Sequence, residues 1–233
     1  HQIPFHALYN GSRYLIDDYE IVYAPSTTAF VRSGAPPPQS GKALIIGVED
    51  PLIPMVAQEV AAIGECLPHA KLRTGDAATV QAVREEAPGC AVLHLACHGL
   101  FRSDNPGFSA LRLSDGWLTA AEIAQFNLRG TLVALSACES GRGRVYDGDE
   151  VIGLARAFLV AGARTLLCSL WLVQDLSTAS LMEAWYAGLA SGHGPAAALR
   201  QAQLTVRARF PHPYYWAPFF IVGSTAPLPP AHT

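Results

Sequence analysis

The fold is decided by two stretches of sequence, VLHLACHG at residues 92–99 and TLVALSACESG at residues 131–141. Each is an apolar run that ends at a reactive side chain followed by small residues, a pattern typical of buried parallel strands. In an open α/β sheet, the last side chains of such strands reach the carboxyl edge, where ligands bind. His98 therefore ends one predicted strand and Cys138 the other. An imidazole and a thiol at one edge are the two groups that a cysteine hydrolase requires at least.

Composition favours a well-packed globular protein. The chain has 233 residues, of which 50% are hydrophobic and 15% charged, enough for one large α/β domain with a sizeable core. The net charge is −3, without a basic block, which disfavours direct nucleic-acid binding. We find no apolar run of about 18 residues and no signal peptide, so we expect no membrane segment.

The cysteines indicate a reducing compartment. There are five of them, an odd number, and three lie in or at the end of predicted core strands: Cys97, Cys138 and Cys168. This usage favours free thiols and a cytoplasmic location. Because no Cys or His cluster has the spacing of zinc ligands, we expect neither a metal nor a cofactor.

The chain divides into three parts on its composition. Residues 1–40 are predicted to be an N-terminal extension packed on the domain or leading into it, with a β-hairpin formed by residues 14–16 and 20–23. Residues 41–224 alternate strands with helices, which predicts a mainly parallel sheet covered on both faces. Residues 225–233 form a Pro-rich tail. Because the chain begins without Met, we expect it to be part of a longer polypeptide.

The reactive residues differ from their neighbours in position. Cys138 is followed by Glu-Ser-Gly, which cannot continue a buried strand, whereas Cys168 lies in mid-strand and is predicted to be core. Gly99 leaves its backbone N–H unobstructed, as an oxyanion hole requires. Alternation along the strand turns Cys97 away from His98, and we assign Cys97 and His94 to the core.

Several further motifs identify a family resemblance. They follow the same order along the chain: IPFHAL (3–8), APS (24–26), SACESG (136–141), GDEVIGLARAF (148–158), AGA (161–163), SLWLVQD (169–175) and YWAPF (215–219). Together with the His-Gly strand ending they resemble the CHAT domain of the caspase-like cysteine peptidases, which are related to caspases and separases. The resemblance covers essentially the whole chain and implies a caspase-like sheet with helices on both faces.

The resemblance implies a function and a site. Cys138 matches the nucleophile, His98 matches the general base, and the backbone N–H groups of Gly99 and Cys138 match the oxyanion hole. The family requires no third carboxylate, and we nominate none. The implied activity is that of a cysteine endopeptidase acting on a specific protein substrate. The resemblance further implies a bacterial source and a fused or associated regulatory module, such as tetratricopeptide repeats.

Substrate preference is predicted from one acidic residue. Asp175 resembles the acidic specificity residue of the separase branch, and an Asp at the base of the S1 pocket would favour Arg or Lys at P1. That branch has a second Asp where this chain has Leu172. The alternative interpretation is that Asp175 caps a helix beside Ser177.

The segment 141–148 matches the linker that caspases cut on activation. It contains Arg142 and Arg144, and we expect it to rearrange on activation, with self-cleavage as one form of that change. The alternative interpretation is that its glycines make the segment flexible and nothing more.

Two other functions are alternatives to a peptidase. A catalytically silent scaffold for protein–protein interaction would use the same fold, although such a protein often loses one of the two reactive residues. A flavodoxin-like nucleotide binder would need a phosphate cradle after the first strand. The sequence IGVEDP at 46–51 lacks the glycine spacing, and its acidic pair would repel phosphate.

Overall fold

The computed structural model describes residues 3–24, 41–51, 53–67, 69–100, 102, 105–139, 149–171 and 175–228. Within these residues, nine strands form a single sheet. They are β1 (Val22–Tyr23), β2 (Ala43–Gly47), β3 (Lys71–Thr74), β4 (Val92–Leu100), β5 (Ala110–Arg112), β6 (Trp117–Thr119), β7 (Leu132–Glu139), β8 (Thr165–Ser169) and β9 (Phe219–Gly223).

The α-helices follow the strands along the chain. In the described residues they are α1 (Val56–Cys66), α2 (Val80–Glu86), α3 (Ala120–Ile123), α4 (Asp149–Val160), α5 (Asp175–Ala190), α6 (Pro195–Arg209) and α7 (Pro213–Trp216). No helix among the described residues is long and apolar enough to cross a bilayer.

The sheet is mainly parallel, as predicted. Its order is β1-β9-β8-β7-β4-β2-β3. Of the pairs along this order, β9 runs antiparallel to β8, while the central pairs β4–β7 and β2–β4 are parallel. The hairpin of β5 and β6 continues the sheet from the end of β4. The predicted α/β class is therefore confirmed.

Helices cover both faces of the sheet. On one face, β4 residues such as Leu95 pack with α2, α3 and α4, including Phe158. On the other face, Ala96 of β4 and Ala134 of β7 pack with α1, α5 and α6, including Trp185. Because side chains alternate along a strand, His98 projects to the same face as Ala96. The reactive positions therefore belong to the layer of α1 and α5.

Helix α1 lies unusually close to β2. A Cβ atom at Gly47 would lie 2.6 Å from Cγ2 of Val60, closer than van der Waals contact allows. Because glycine has no Cβ atom, the helix can pack directly against the end of the strand. The segment that follows β2 carries Asp50.

Two sequence-based boundaries were wrong. The strand expected to end at His98 continues to Leu100, because its end pairs with β5 as well as β7. The hairpin expected near the N-terminus is absent from the described residues: Leu15–Asp17 is a 3₁₀ turn, and β1 pairs in parallel with β9. The Asp17 side chain accepts a hydrogen bond from Tyr14 N–H, which favours the turn over a strand.

An ion-pair cluster attaches α2 to the edge strand β3. Oε1 of Glu86 lies 2.6 Å from Nη2 of Arg73 and 2.8 Å from Nζ of Lys71. The hydrogen bond from Arg73 is the main cause that lowers the pKa of Glu86 from 4.5 to about 2. The stabilisation is therefore complete above pH 4.5 and is lost as the pH falls towards about 2.

We expect Glu86→Gln to lower the free energy of unfolding more at pH 7 than at pH 3, because the native carboxylate loses its advantage on protonation. Urea unfolding of both proteins at the two pH values measures this. A difference that is the same at both pH values would contradict the linkage.

Candidate active site

Two adjacent parallel strands bring the predicted catalytic residues together. In the β4–β7 pair, His98 is the register partner of Cys138, and Gly99 is the partner of Glu139. Both strands are apolar up to these residues. Burial of the two apolar runs side by side fixes the register, so the ends of the strands lie next to each other. Directly opposed residues on one face of a sheet have neighbouring Cβ atoms. The side chain of Cys138 lies outside the described part of the structure, so the backbone register defines its place.

The His98 imidazole is buried against an acidic side chain that we did not nominate from the sequence. His98 is 6% exposed, and its Nε2 lies 3.2 Å from Oδ1 of Asp50. Asp50 follows β2, whose course continues beside β4: Val48 N–H donates to Ala96 O at 2.9 Å. In this register, the residues that follow β2 lie beside the end of β4, and Asp50 lies next to His98.

Asp50 and His98 lie within ion-pair distance of each other. Such contacts in substrate-free enzymes commonly tighten when substrate binds. The signal in the sequence was the acidic pair after β2, which we considered only as a feature that repels phosphate.

The backbone places Gly99 within the sheet and Asp175 at the start of a helix. Gly99 of β4 lies between two strands: its register partner is Glu139 on β7 and Leu111 on β5. Asp175 is the first residue of α5, and its side chain lies outside the described part of the structure. The oxyanion role of Gly99 and the specificity role of Asp175 remain predictions. Segment 141–148 also lies outside the described residues.

Three further cysteines and one histidine are buried in the core. Cys97 and Cys168 pack in the layer of α2, α3 and α4, as expected. Burial raises the pKa of Cys90 and raises that of Cys168 far above its ordinary value, so these thiols are poor nucleophiles. His94 is fully buried and belongs to a polar cluster beneath the site. Among the described residues, no group of acidic, His or Cys side chains could hold a metal ion.

Comparison with known sequences identifies one family and a set of relatives. The sequence model of the CHAT domain matches residues 1–224. Tetratricopeptide repeat protein 28 of Mus musculus is 37% identical over 113 residues, which are 48% of this chain and 5% of that protein. The human protein of the same name is 38% identical over 113 residues, 48% of this chain and 4% of that protein. The chain thus spans about 5% of the length of these relatives.

Solved structures share the fold at low sequence identity. The separase of the Saccharomyces cerevisiae separase–securin complex superposes with a TM-score of 0.66 and 15% identity, covering 95% of this chain and 14% of that one. The Arg-specific cysteine proteinase gingipain R gives a TM-score of 0.64 and 11% identity, covering 86% and 51%. The bacterial source and cytoplasmic location remain predictions, and the two relatives described above are mammalian proteins.

Family match and fold agree, and with the pairing of His98 and Cys138 at the end of β4 and β7 they lead to one assignment: the chain belongs to the CHAT domain family and has a caspase-like, cysteine-peptidase fold.

Proposed function

We propose that this domain is a cysteine endopeptidase that cleaves a protein substrate, with Cys138 as nucleophile and His98 as general base. The observation that supports this most is the register of β4 and β7, in which His98 is opposed to Cys138. An imidazole opposed to a thiol at the carboxyl edge of a parallel sheet has the arrangement that covalent catalysis by cysteine needs.

The reaction follows from these groups. His98 takes the proton of the Cys138 thiol, and the thiolate attacks the peptide carbonyl carbon, forming a C–S bond. The negative charge on the carbonyl oxygen is stabilised by the backbone N–H groups of Gly99 and Cys138. His98 then returns the proton to the leaving amine as the C–N bond breaks. Water, deprotonated by His98, hydrolyses the thioester and regenerates the thiol.

Asp50 orients the base in this scheme. Its carboxylate lies 3.2 Å from Nε2 of His98, so it stabilises the imidazolium that forms when Cys138 loses its proton. Asp50 is only partly buried, so solvent weakens this attraction without removing it.

We expect Asp50→Asn to slow alkylation of Cys138 by iodoacetamide at pH 7 about tenfold, because less of the thiol is ionised when the imidazolium is less stable. Peptide mass spectrometry of the full-length protein gives the rate at Cys138. Glu49→Gln is the matched control, since it removes the same charge from an exposed neighbour. Equal rates in the two variants would remove Asp50 from the mechanism.

The substrate is proposed to carry Arg or Lys at P1. The support is the position of Asp175 at the start of α5, together with the fold shared with a proteinase that is Arg-specific. A carboxylate in an S1 pocket pairs with a guanidinium or ammonium group through charge-assisted hydrogen bonds. The competing interpretation remains that Asp175 caps the helix it begins.

The domain is further proposed to be the catalytic part, residues 41–224, of a larger regulated protein. Its curated relatives are named for tetratricopeptide repeats, and the matched region is a small share of their length. Repeat arrays offer extended concave surfaces for binding partners, which suits a module that controls access to a protease.

One experiment tests the activity and the P1 preference together. A proteome-derived peptide library is incubated with the full-length protein or with its Cys138→Ala variant, and new N-termini are sequenced by mass spectrometry. We expect peptides unique to the wild type with Arg or Lys before the cut. Cleavage without a basic preference would overturn the P1 proposal alone, and identical peptide sets would favour the silent scaffold.

A further inference from the structure

A buried polar cluster lies directly beneath the proposed catalytic pair. Glu59 of α1 is 2% exposed, and its Oε1 lies 3.0 Å from Nε2 of His94 on β4. The other oxygen, Oε2, accepts a hydrogen bond of 3.1 Å from the Ser136 hydroxyl on β7. Nδ1 of His94 lies 3.2 Å from the Tyr186 hydroxyl on α5. One carboxylate therefore contacts both central strands.

The cluster faces the same side of the sheet as the site. Ser136 is the register partner of Ala96, and the next pair on this face is His98 with Cys138. His94 lies on the same face, two residues before Ala96 and therefore further from the carboxyl edge, and its register partner is Ala134. Glu59 thus contacts the two strands immediately before the residues that must meet for catalysis.

Glu59 also lies on α1, the helix that follows the segment carrying Asp50, and α1 packs against β2 at Gly47 through Val60. Its side chain contacts the strands that carry His98 and Cys138.

Stability alone does not account for such a cluster. The surroundings of Glu59 are apolar, including Val60 and Ile63 on its own helix. A carboxylate buried among such residues costs desolvation that its partners only partly repay, and well-packed apolar side chains often serve stability equally well. Glu59 and His94 meet at an ion-pair distance, while Ser136 and Tyr186 add hydrogen bonds. Such a buried polar cluster favours one arrangement of the elements it joins.

We propose that Glu59 is a positioning residue, which holds β4 and β7 at the separation that lets His98 deprotonate Cys138. The proposal rests on the proposed function and extends it to a residue that does not touch the substrate. Ser136 and His94 are its two anchor points on the strands. The effect is geometric, and small displacements of reacting groups cost large factors in rate.

The test compares Glu59→Gln with Glu65→Gln, which removes the same charge from an exposed position of the same helix. The rate of Cys138 alkylation by iodoacetamide is measured from pH 5 to pH 9 in the full-length protein, together with the midpoint of thermal unfolding. We expect Glu59→Gln to slow alkylation at pH 7 about tenfold and to shift the pH profile towards that of an ordinary thiol. Glu65→Gln should match the wild type.

Each outcome is decisive. A folded Glu59→Gln protein with the wild-type pH profile, even if less heat-stable, overturns the positioning role and leaves the proposed function intact. If Glu59→Gln does not fold, Ser136→Ala decides by the same measurement, with a smaller loss in the same direction expected and an unchanged profile overturning the proposal. A wild-type protein whose Cys138 alkylates like a free cysteine overturns the proposed function, and the positioning role with it.

Discussion

Replacing Cys138 with alanine is expected to abolish peptide cleavage while the protein stays folded. Without the sulfur no thioester can form, and the residual effect of substrate binding and the oxyanion hole, about 10³–10⁴ over water, is too small to detect in a peptide assay. The variant retains the buried contacts of Glu59, His94 and Ser136. Its thermal midpoint should therefore lie within about 4 °C of the wild type, the shift that 1 kcal/mol causes.

The measurement is cleavage of a peptide found by the library experiment, with circular dichroism to establish folding. Cys66→Ala is the matched control, since Cys66 is a half-buried thiol in α1 and burial raises its pKa above the usual range. Undiminished turnover in Cys138→Ala would falsify the assignment of the nucleophile, whatever the control does.

Replacing His98 with alanine has the second largest expected effect. General acid–base catalysis by a side chain contributes about 10²–10⁴ in rate, and His98 provides both proton transfers in the proposed scheme. We therefore expect turnover to fall by at least about a hundredfold. Alkylation of Cys138 should lose its acceleration at neutral pH and follow the titration of an isolated thiol.

Turnover and the pH profile of alkylation are both needed here, because the imidazole is buried and its removal leaves a cavity that lowers stability. His69→Ala is the control, since His69 is exposed and precedes β3. If the folded His98→Ala protein alkylates at Cys138 with the wild-type profile, another group must be the base, and Asp50 loses its role as well.

The sequence indicated the reactive pair because local signals coincide there. His98 and Cys138 each follow an apolar run, and their opposition requires only that the two strands be parallel neighbours. The length of β4 was not predictable in the same way: its last residues stay in the sheet because Ala110 pairs with Leu100, a contact that depends on where the intervening chain returns.

Asp50 and Glu59 were missed for a related reason. Asp50 contacts His98 because of the register between β2 and β4. The pattern of apolar residues in the sequence does not predict that register. Glu59 lies within a helix, where a glutamate is common, and its partner Ser136 is 77 positions away in the sequence. Their significance arises from long-range packing, so sequence patterns identify the two ends of the catalytic pair better than the residues that support them.

The pairing of β1 with β9 redefines what counts as the folding unit. Val22 and Tyr23 form the edge strand β1 and pair in register with Ile221 and Val222 of β9. A protein cut after the N-terminal extension would present the apolar strand Phe219–Gly223 with one unsatisfied row of amide and carbonyl groups, the template on which chains aggregate. Strand β1 therefore covers this side of β9, and we expect a protein cut after β1 to self-associate more readily.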